Sequence, residues 1–432
     1  MTDRQTKLQE LLNIAVHYGK MFRITYGAAK TKITVVGSDI DVKYFQDVKP
    51  WHMDVQVVDD NEHLGHVVSN KHQAQKNIDL KIEHGRRSLF SLLGAGFAYK
   101  SHLSPVLKLH IYRTYTCPIT RSGLSVFALR SAELESLSVF QTKTLKSILK
   151  LSITAPTPAI HFLTGELPYE GKIHKDVFSL FYSIWANPDT KIHKIVKYLL
   201  QHSNENSRTW STHIRNLSKQ YGIEDPLKCL LRDPPPRSQY KEMITTKITA
   251  YFEKTLRAAA VQNSCMRYLN VAALGLRGCH HPALANLITT HDVQLSKPHL
   301  KFLAGNYLTY SVRAAQSGGS SACRLCLSGS EETTSHVISS CLALSQERQK
   351  LFGEYITLCK LTKNCLNFEN FLENEELTCQ FILDPTSLNL SERISPNDPI
   401  LKNILNLSRD FCYLLDKTRL KLLKEKEANL KV

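Results

Sequence analysis

The sequence predicts a mainly α-helical protein with a small α+β piece at its N-terminus, and three observations carry that reading. Runs rich in β-formers are confined to the first 70 residues. From His72 onward the apolar residues recur at helical spacings of three and four. Cys323, Cys326, His336 and Cys341 stand as C-x2-C-x9-H-x4-C, a pattern that closes a small knuckle around one metal ion.

Taken in order, residues 2–22 read as a helix: Thr2 and Gln5 form a capping box, and Leu8, Leu11, Leu12, Ala15 and Phe22 line one side. Phe22–Tyr26 and Lys32–Val36 are short β-rich runs around Gly27–Thr31. Val55–Val58 and Leu64–Val68 make a second pair, with Asp59-Asp60-Asn61 supplying the turn chemistry between them. Gly94-Ala-Gly96 and Pro118 with Gly123 then divide residues 71–151 into about three helices. In the last of these Leu134, Leu137, Leu145 and Ile148 share one side, and Lys143, Lys146 and Lys150 lie opposite. Pro156–Pro158 closes this unit, and residues 159–310 read as helices with loops at Asn187-Pro188, His202–Ser207 and Arg232–Arg237. Cys279-His280-His281 precedes Pro282 without ligand spacing and reads as a loop. After the knuckle come an acidic linker at 369–376 and a loop at 384–398. A last amphipathic helix carries Ile400, Ile404, Leu407, Phe411 and Leu414 and is expected to pack on the body. The expected units are 1–70, 71–155, 156–315, 316–345 and 346–432.

The charge balance points to a partner class. Lys and Arg number 55 against 39 Asp and Glu, a net +16. Such an excess repels itself unless a polyanion or counterions neutralise it, so nucleic acid leads the list of partners, with a solvated basic surface as the plain alternative. Residues 71–151 hold 13 of these cations against four acids, interleaved with Phe90, Phe97, Tyr99, Tyr112, Tyr115, Phe127 and Phe140. Arg86, Arg87, Lys143, Lys146 and Lys150 are the candidate phosphate contacts there. No leader-like apolar region opens the chain and no stretch approaches a membrane span, so an intracellular protein is expected, in nucleus or cytoplasm, with no membrane partner. The cysteines outside the knuckle are scattered and read as buried reduced thiols.

Three thiolates and one imidazole suit zinc, and four protein ligands leave no open position for a substrate water, so the expected site is structural. Arg324, between the first two thiols, suits a knuckle facing an anion. His336 and Cys341 are five residues apart, about 140° round a straight helix, so the backbone is expected to break between them.

Several stretches together resemble the C-terminal half of the reverse transcriptase of non-LTR (LINE-like) retrotransposons. Leu8–Leu12 leading to Phe22-Arg-Ile-Thr25 and Ala29-Lys-Thr-Lys-Ile33 are similar to the helix and Lys-Thr segment that close the polymerase palm. His63-Leu-Gly65 resembles the primer-grip hairpin, and Tyr112–Pro118 with Leu137–Leu149 the thumb. Leu303–Thr309, Cys323-Arg-Leu-Cys326, Glu332-Thr333, His336 and Cys341 resemble the zinc knuckle beyond the thumb. The resemblance implies a truncated palm (1–70), a thumb (71–155), a helical connector, the knuckle and a helical tail. It also implies binding to an RNA or DNA template–primer and a parent reaction of RNA-directed DNA synthesis.

In that family the carboxylates that hold two Mg2+ ions lie on a strand and a Tyr-x-Asp-Asp hairpin before the helix that opens this chain. Asp59-Asp60 comes after the Lys-Thr segment and lacks a third carboxylate upstream, so it reads as turn chemistry and no catalytic residue is expected. Mg2+ belongs only to an intact parent polymerase. Lys30 and Lys32, near the incoming triphosphate by resemblance, read as surface lysines on a strand pair. The expectation is therefore a fragment beginning inside a domain, inactive alone and a possible companion of the missing upstream part. The rival readings are a helical protein-interaction module with a structural zinc site, and a polymerase using Asp59 and Asp60.

Overall fold

The computed structural model describes residues 5–27, 31–36, 56–97, 103–202, 207–360, 369–387 and 399–429. The chain opens with α1 (Gln5–Met21), followed by β1 (Lys32–Thr34), β2 (Gln56–Val58), β3 (Asp60–His63) and β4 (His66–Ser69). The expected Thr2 cap, Lys30 and Val55 lie outside the described residues. β1 pairs with β2 in parallel, Ile33 opposite Val57. β3 pairs with β4 antiparallel, Asp60 opposite Ser69 and His63 opposite His66.

The hairpin turn therefore lies at Leu64-Gly65, not at Asp59-Asp60-Asn61 as the sequence led us to expect. Leu64 and Gly65 both adopt positive φ, 51° and 74°. That is the two-residue geometry whose twist matches the flanking strands, and Gly65 takes it without a Cβ penalty. Asp60 becomes a ladder residue.

This N-terminal piece has its own small core: buried Val35 packs against Leu8, Leu12, Ile33 and Val57. One ridge of α1 finds no cover among the described residues, with Leu11, Ile14, Tyr18 and Met21 each at least half exposed.

The helical body begins with α2 (Gln73–Ser91), α3 (Pro105–Ile111), α4 (Cys117–Arg121) and α5 (Ser131–Leu149). Helical rows over 73–97, 105–121 and 131–149 make the three expected blocks. Pro118 does not end the middle one. A π-turn over Tyr112–Thr116 precedes it, and the widened turn accommodates the missing proline N–H. On α5, Leu134, Leu137, Leu145 and Ile148 are all buried, as the apolar spacing predicts.

Next come α6 (Thr157–Thr164), α7 (Tyr169–Trp185), α8 (Lys191–His202), α9 (Trp210–Tyr221), α10 (Pro226–Cys229), α11 (Arg237–Val261), α12 (Pro282–Ala285), α13 (Thr290–Leu303) and α14 (Tyr310–Ser317). Asp233–Pro236 is the irregular stretch ahead of α11. The loop at Cys279–His281 is an ordered joint. Gly165 at φ 67° ends α6 so closely against it that a Cβ would meet the Cys279 carbonyl oxygen at 2.2 Å. His281 N–H donates to Leu163 O, and the wholly buried His281 ring faces the Asp384 carboxylate at 3.3 Å.

After the knuckle lie α15 (Ser345–Lys360), α16 (Glu369–Leu372), α17 (Glu375–Leu383) and α18 (Pro399–Asn429). The segment expected as an acidic linker at 369–376 is thus α16 and the start of α17. Glu375 and Glu376 stand in the first turn of α17, where the dipole favours negative charge. Of the expected loop at 384–398, Pro385–Ser387 is a short 3-10 turn and 388–398 lies outside the described residues. α18 packs on the body as expected. Its buried face is Leu401, Ile404, Leu405, Ser408, Phe411, Cys412 and Leu415, so the stripe is rotated from the expected one, leaving Ile400 and Leu407 half-buried. One continuous apolar core runs from Ile78 to Leu415, across the boundaries at 155, 315 and 345. No helix among the described residues is long and apolar enough to cross a membrane.

Candidate metal centre

The knuckle is a tight hairpin. Cys323 N–H donates to Ser330 O and Glu332 N–H to Ser321 O, both at 2.8 Å, and Leu327 and Gly329 turn the chain at positive φ. This folds Cys323 and Cys326 toward one point. The other two ligands arrive on a π-turn, His336–Ser340, closed by Cys341 N–H donating to His336 O at 2.7 Å. The backbone thus does not break between them; it widens, and the five-residue spacing becomes one turn.

The Cys323 and Cys341 Sγ atoms lie 3.9 Å apart, Cys326 Sγ and His336 Nε2 3.5 Å apart, and all four ligand atoms fall within 4.8 Å of one another. A tetrahedral zinc shell has sulfur–sulfur edges of about 3.8 Å and sulfur–nitrogen edges of about 3.6 Å. The cluster can hold one metal ion, and its donors and spacings are compatible with structural zinc.

Surrounding groups orient these ligands. Ser340 Oγ lies 3.3 Å from His336 Nδ1, positioned to take its proton and leave Nε2 for the metal. Ser328 Oγ, 3.1 Å from Cys326 Sγ, is placed to donate to a thiolate. Burial acts against the Cys326 thiolate, but hydrogen bonds from Ser328, Cys323 and His336 outweigh it and bring the thiol down to about 6. Burial pushes Cys341 up to about 12 and also raises Cys323, so these two thiols need a cation to ionise. Arg348 donates to Ile338 O and, at 2.8 Å, to Cys341 O, holding the turn from outside.

Glu332 sits 3.7 Å from Cys323 Sγ with no solvent exposure, and its charge is met by buried Arg419 of α18 at 2.5 Å. Arg419 escapes sequence reading because it lies 87 residues from Glu332, and Arg348, seven residues beyond Cys341, because it acts on backbone carbonyls that carry no sequence signal. Glu332 enters the sequence reading only through the resemblance.

Arg324 is exposed, and its guanidinium lies 4.6 Å from the Tyr310 ring. Exposed Arg313 flanks the same ring at 5.3 Å. Lys426 donates to Arg324 O at 2.9 Å and to Leu325 O at 2.8 Å, bringing the end of α18 to the knuckle. Arg313 and Lys426 were missed because nothing in their local sequence sets them apart.

The expected lysine stripe on α5 does not form. Lys143 is exposed, but Lys146 is half-buried and donates to Ile153 O at 2.6 Å. Lys150 is only 7% exposed: it caps α5 at φ 57°, which turns it off the helical face into the body. Arg86 and Arg87 are exposed on α2, Arg87 paired with Glu83.

Much of the local charge excess is used internally. Lys81 and Lys108 are buried, and Lys76, Arg113, Arg121 and Arg130 hold carboxylates. Of the aromatics, Phe97, Tyr112 and Phe140 are core, and Phe90 and Tyr115 are exposed. Asp60 is ion-paired with Lys76 at 2.6 Å. The one group of three or more metal-ligating side chains found among the described residues is the Cys3His cluster, which does not include Asp59 or Asp60. No protein-family model matches this chain, and neither the curated proteins nor the solved structures contain a match.

Proposed function

We propose that this chain is a nucleic-acid-binding module held together by one structural zinc ion, of the kind found beyond the palm in non-LTR reverse transcriptases, and inactive in DNA synthesis by itself. The observation that carries the reading is the exposed pair Arg313, on α14, and Arg324, on the hairpin that the Cys3His cluster fixes, on either side of Tyr310. Two guanidiniums held against the buried Tyr310 ring can grip phosphate oxygens of a template–primer with little loss of side-chain entropy. The net +16 and the sequence resemblance support the same partner.

Salt dependence tests this. Each phosphate contact on duplex DNA contributes about −0.9 to the slope of log affinity against log salt. Arg313→Glu with Arg324→Glu is expected to weaken binding equally for unrelated sequences and flatten the slope by roughly two units. Arg86→Glu with Lys143→Glu tests the thumb-like unit, since both cations are exposed and have no ion-pair partner among the described residues. Unchanged slopes in both folded double variants would remove the nucleic-acid reading. The protein-interaction reading would then lead, and it has its own observation: the Leu11, Ile14, Tyr18 and Met21 ridge of α1, uncovered among the described residues.

A further inference from the structure

A cavity of about 510 Å3 opens between α4, α7 and the first turns of α11, well away in sequence from the knuckle. Its walls carry four cations, Arg121, Lys175, Arg237 and Lys241, against one acid, Asp176. That acid is already committed: Arg121 Nη1 donates to both of its carboxylate oxygens, at 3.1 and 3.0 Å. Lys175, Arg237 and Lys241 have no ion pair or side-chain hydrogen bond among the described residues. Three unneutralised cations around one concavity repel one another unless an anion joins them.

The other walls narrow the anion's class. Tyr182 and Tyr240 line the cavity with their rings 5.1 Å apart, and Ser179, Ser238 and Thr245 add hydroxyls. The Tyr182 hydroxyl donates to Pro235 O at 2.7 Å, so its ring is fixed in place. A rigid aromatic wall beside a cationic one matches a planar base joined to a phosphate, and the volume lies in the range of about 300–1,000 Å3 usual for small-ligand sites.

We infer that this cavity binds a nucleotide through a terminal phosphate monoester, with the phosphate among Lys175, Arg237 and Lys241 and the base against Tyr182. Burial, with Lys172, Arg277 and Arg121 close by, pushes Lys175 down to about 8, and a bound dianion would relieve that strain. The site neither includes nor requires the zinc centre, and it is separate from the phosphate-backbone surface at Arg313 and Arg324.

The ligand has two sources, a free mononucleotide or the 5′ end of a nucleic acid, and calorimetry on the full chain separates them. The probes are adenosine 5′-monophosphate, adenosine, and one short oligonucleotide with and without a 5′-phosphate. Adenosine 5′-monophosphate should bind at least about tenfold more tightly than adenosine, since one hydrogen bond to a charged group is worth that factor. Arg237→Glu with Lys241→Glu, both on the exposed side of α11, should remove that preference and leave the far-ultraviolet dichroism unchanged. Lys175→Met should weaken binding without reversing charge.

A tighter fit for the phosphorylated oligonucleotide would assign the site to nucleic-acid ends, and a tighter fit for the mononucleotide to a free ligand. Equal binding of nucleoside and nucleotide would overturn the inference. So would equal binding of the two oligonucleotides combined with no measurable monophosphate binding. Nucleic-acid binding that persists through either negative result, with its dependence on Arg313 and Arg324, leaves the proposed function standing.

Discussion

At the scale of single residues, Cys323, Cys326, His336 and Cys341 were legible because their chemistry has few uses and their spacing fits one ion. Their support was not. Glu332 and Arg419 are 87 residues apart, and no local pattern joins them. Purified chain should carry one zinc ion, and Cys326→Ser should lose it; metal analysis finding none in reduced protein would end the claim. Arg419→Met is the sharper test of the surroundings. Removing one partner of a buried ion pair costs about 3–5 kcal/mol, and here it also leaves the Glu332 charge opposing the Cys323 thiolate at 3.7 Å. Stability and zinc affinity should therefore fall together. A variant that loses stability but keeps its zinc affinity would show that Glu332 does not act on the metal. Lys150 gives the opposite lesson: its spacing placed it on a lysine stripe, but a left-handed cap turned it inward, and a cap is set by the chain beyond the helix end.

At the scale of elements, apolar spacing located the helical blocks and the buried side of α5, since burial must match the helical period. It did not locate the π-turns at Leu93–Phe97, Tyr112–Thr116 and His336–Ser340 or the hairpin turn at Leu64-Gly65, which depend on local backbone chemistry and not on the apolar period. The ligand spacing, for its part, suggests a small knuckle closed on itself. Cys323 and Cys341 are instead part of the continuous core, and α18 reaches the knuckle through Arg419 and Lys426. Chelating the metal should thus raise amide exchange in α14 and in α18 from about Leu415 onward, as well as in residues 316–345. Exchange that rises only within 316–345 would show that the hairpin is self-contained.

At the scale of the whole molecule, three of the buried histidines, His161, His174 and His299, are held neutral in the core, and no sequence pattern sets them apart among the 18 in the chain. His161 faces Glu166 O at 2.7 Å, His174 the Tyr221 hydroxyl at 2.6 Å, and His299 Leu383 O at 2.8 Å. Burial brings their ring pKa values down to about 4, about 3 and about 4 from the ordinary 6.5. In each case the unfolded chain takes up a proton that the folded chain refuses. Their contribution is therefore complete above pH 6.5 and is lost as pH falls from there toward 4. Glu166 and Asp384 are also held below their ordinary values, but they add losses only below about 4.5. In the middle of the histidine window the slope is about 1.4 kcal/mol per pH unit for each ring, or roughly 4 for all three. The urea midpoint should therefore drop steeply between pH 6 and 5, before the carboxylates titrate. Metal release falls in the same window, so Cys326→Ser is run in parallel: its slope should persist, because His161 and His174 lie on α6 and α7, away from the knuckle. A midpoint flat from pH 6.5 to 4.5 in both proteins would mean that the rings protonate in place, and that the core around α6, α7 and α13 opens to water.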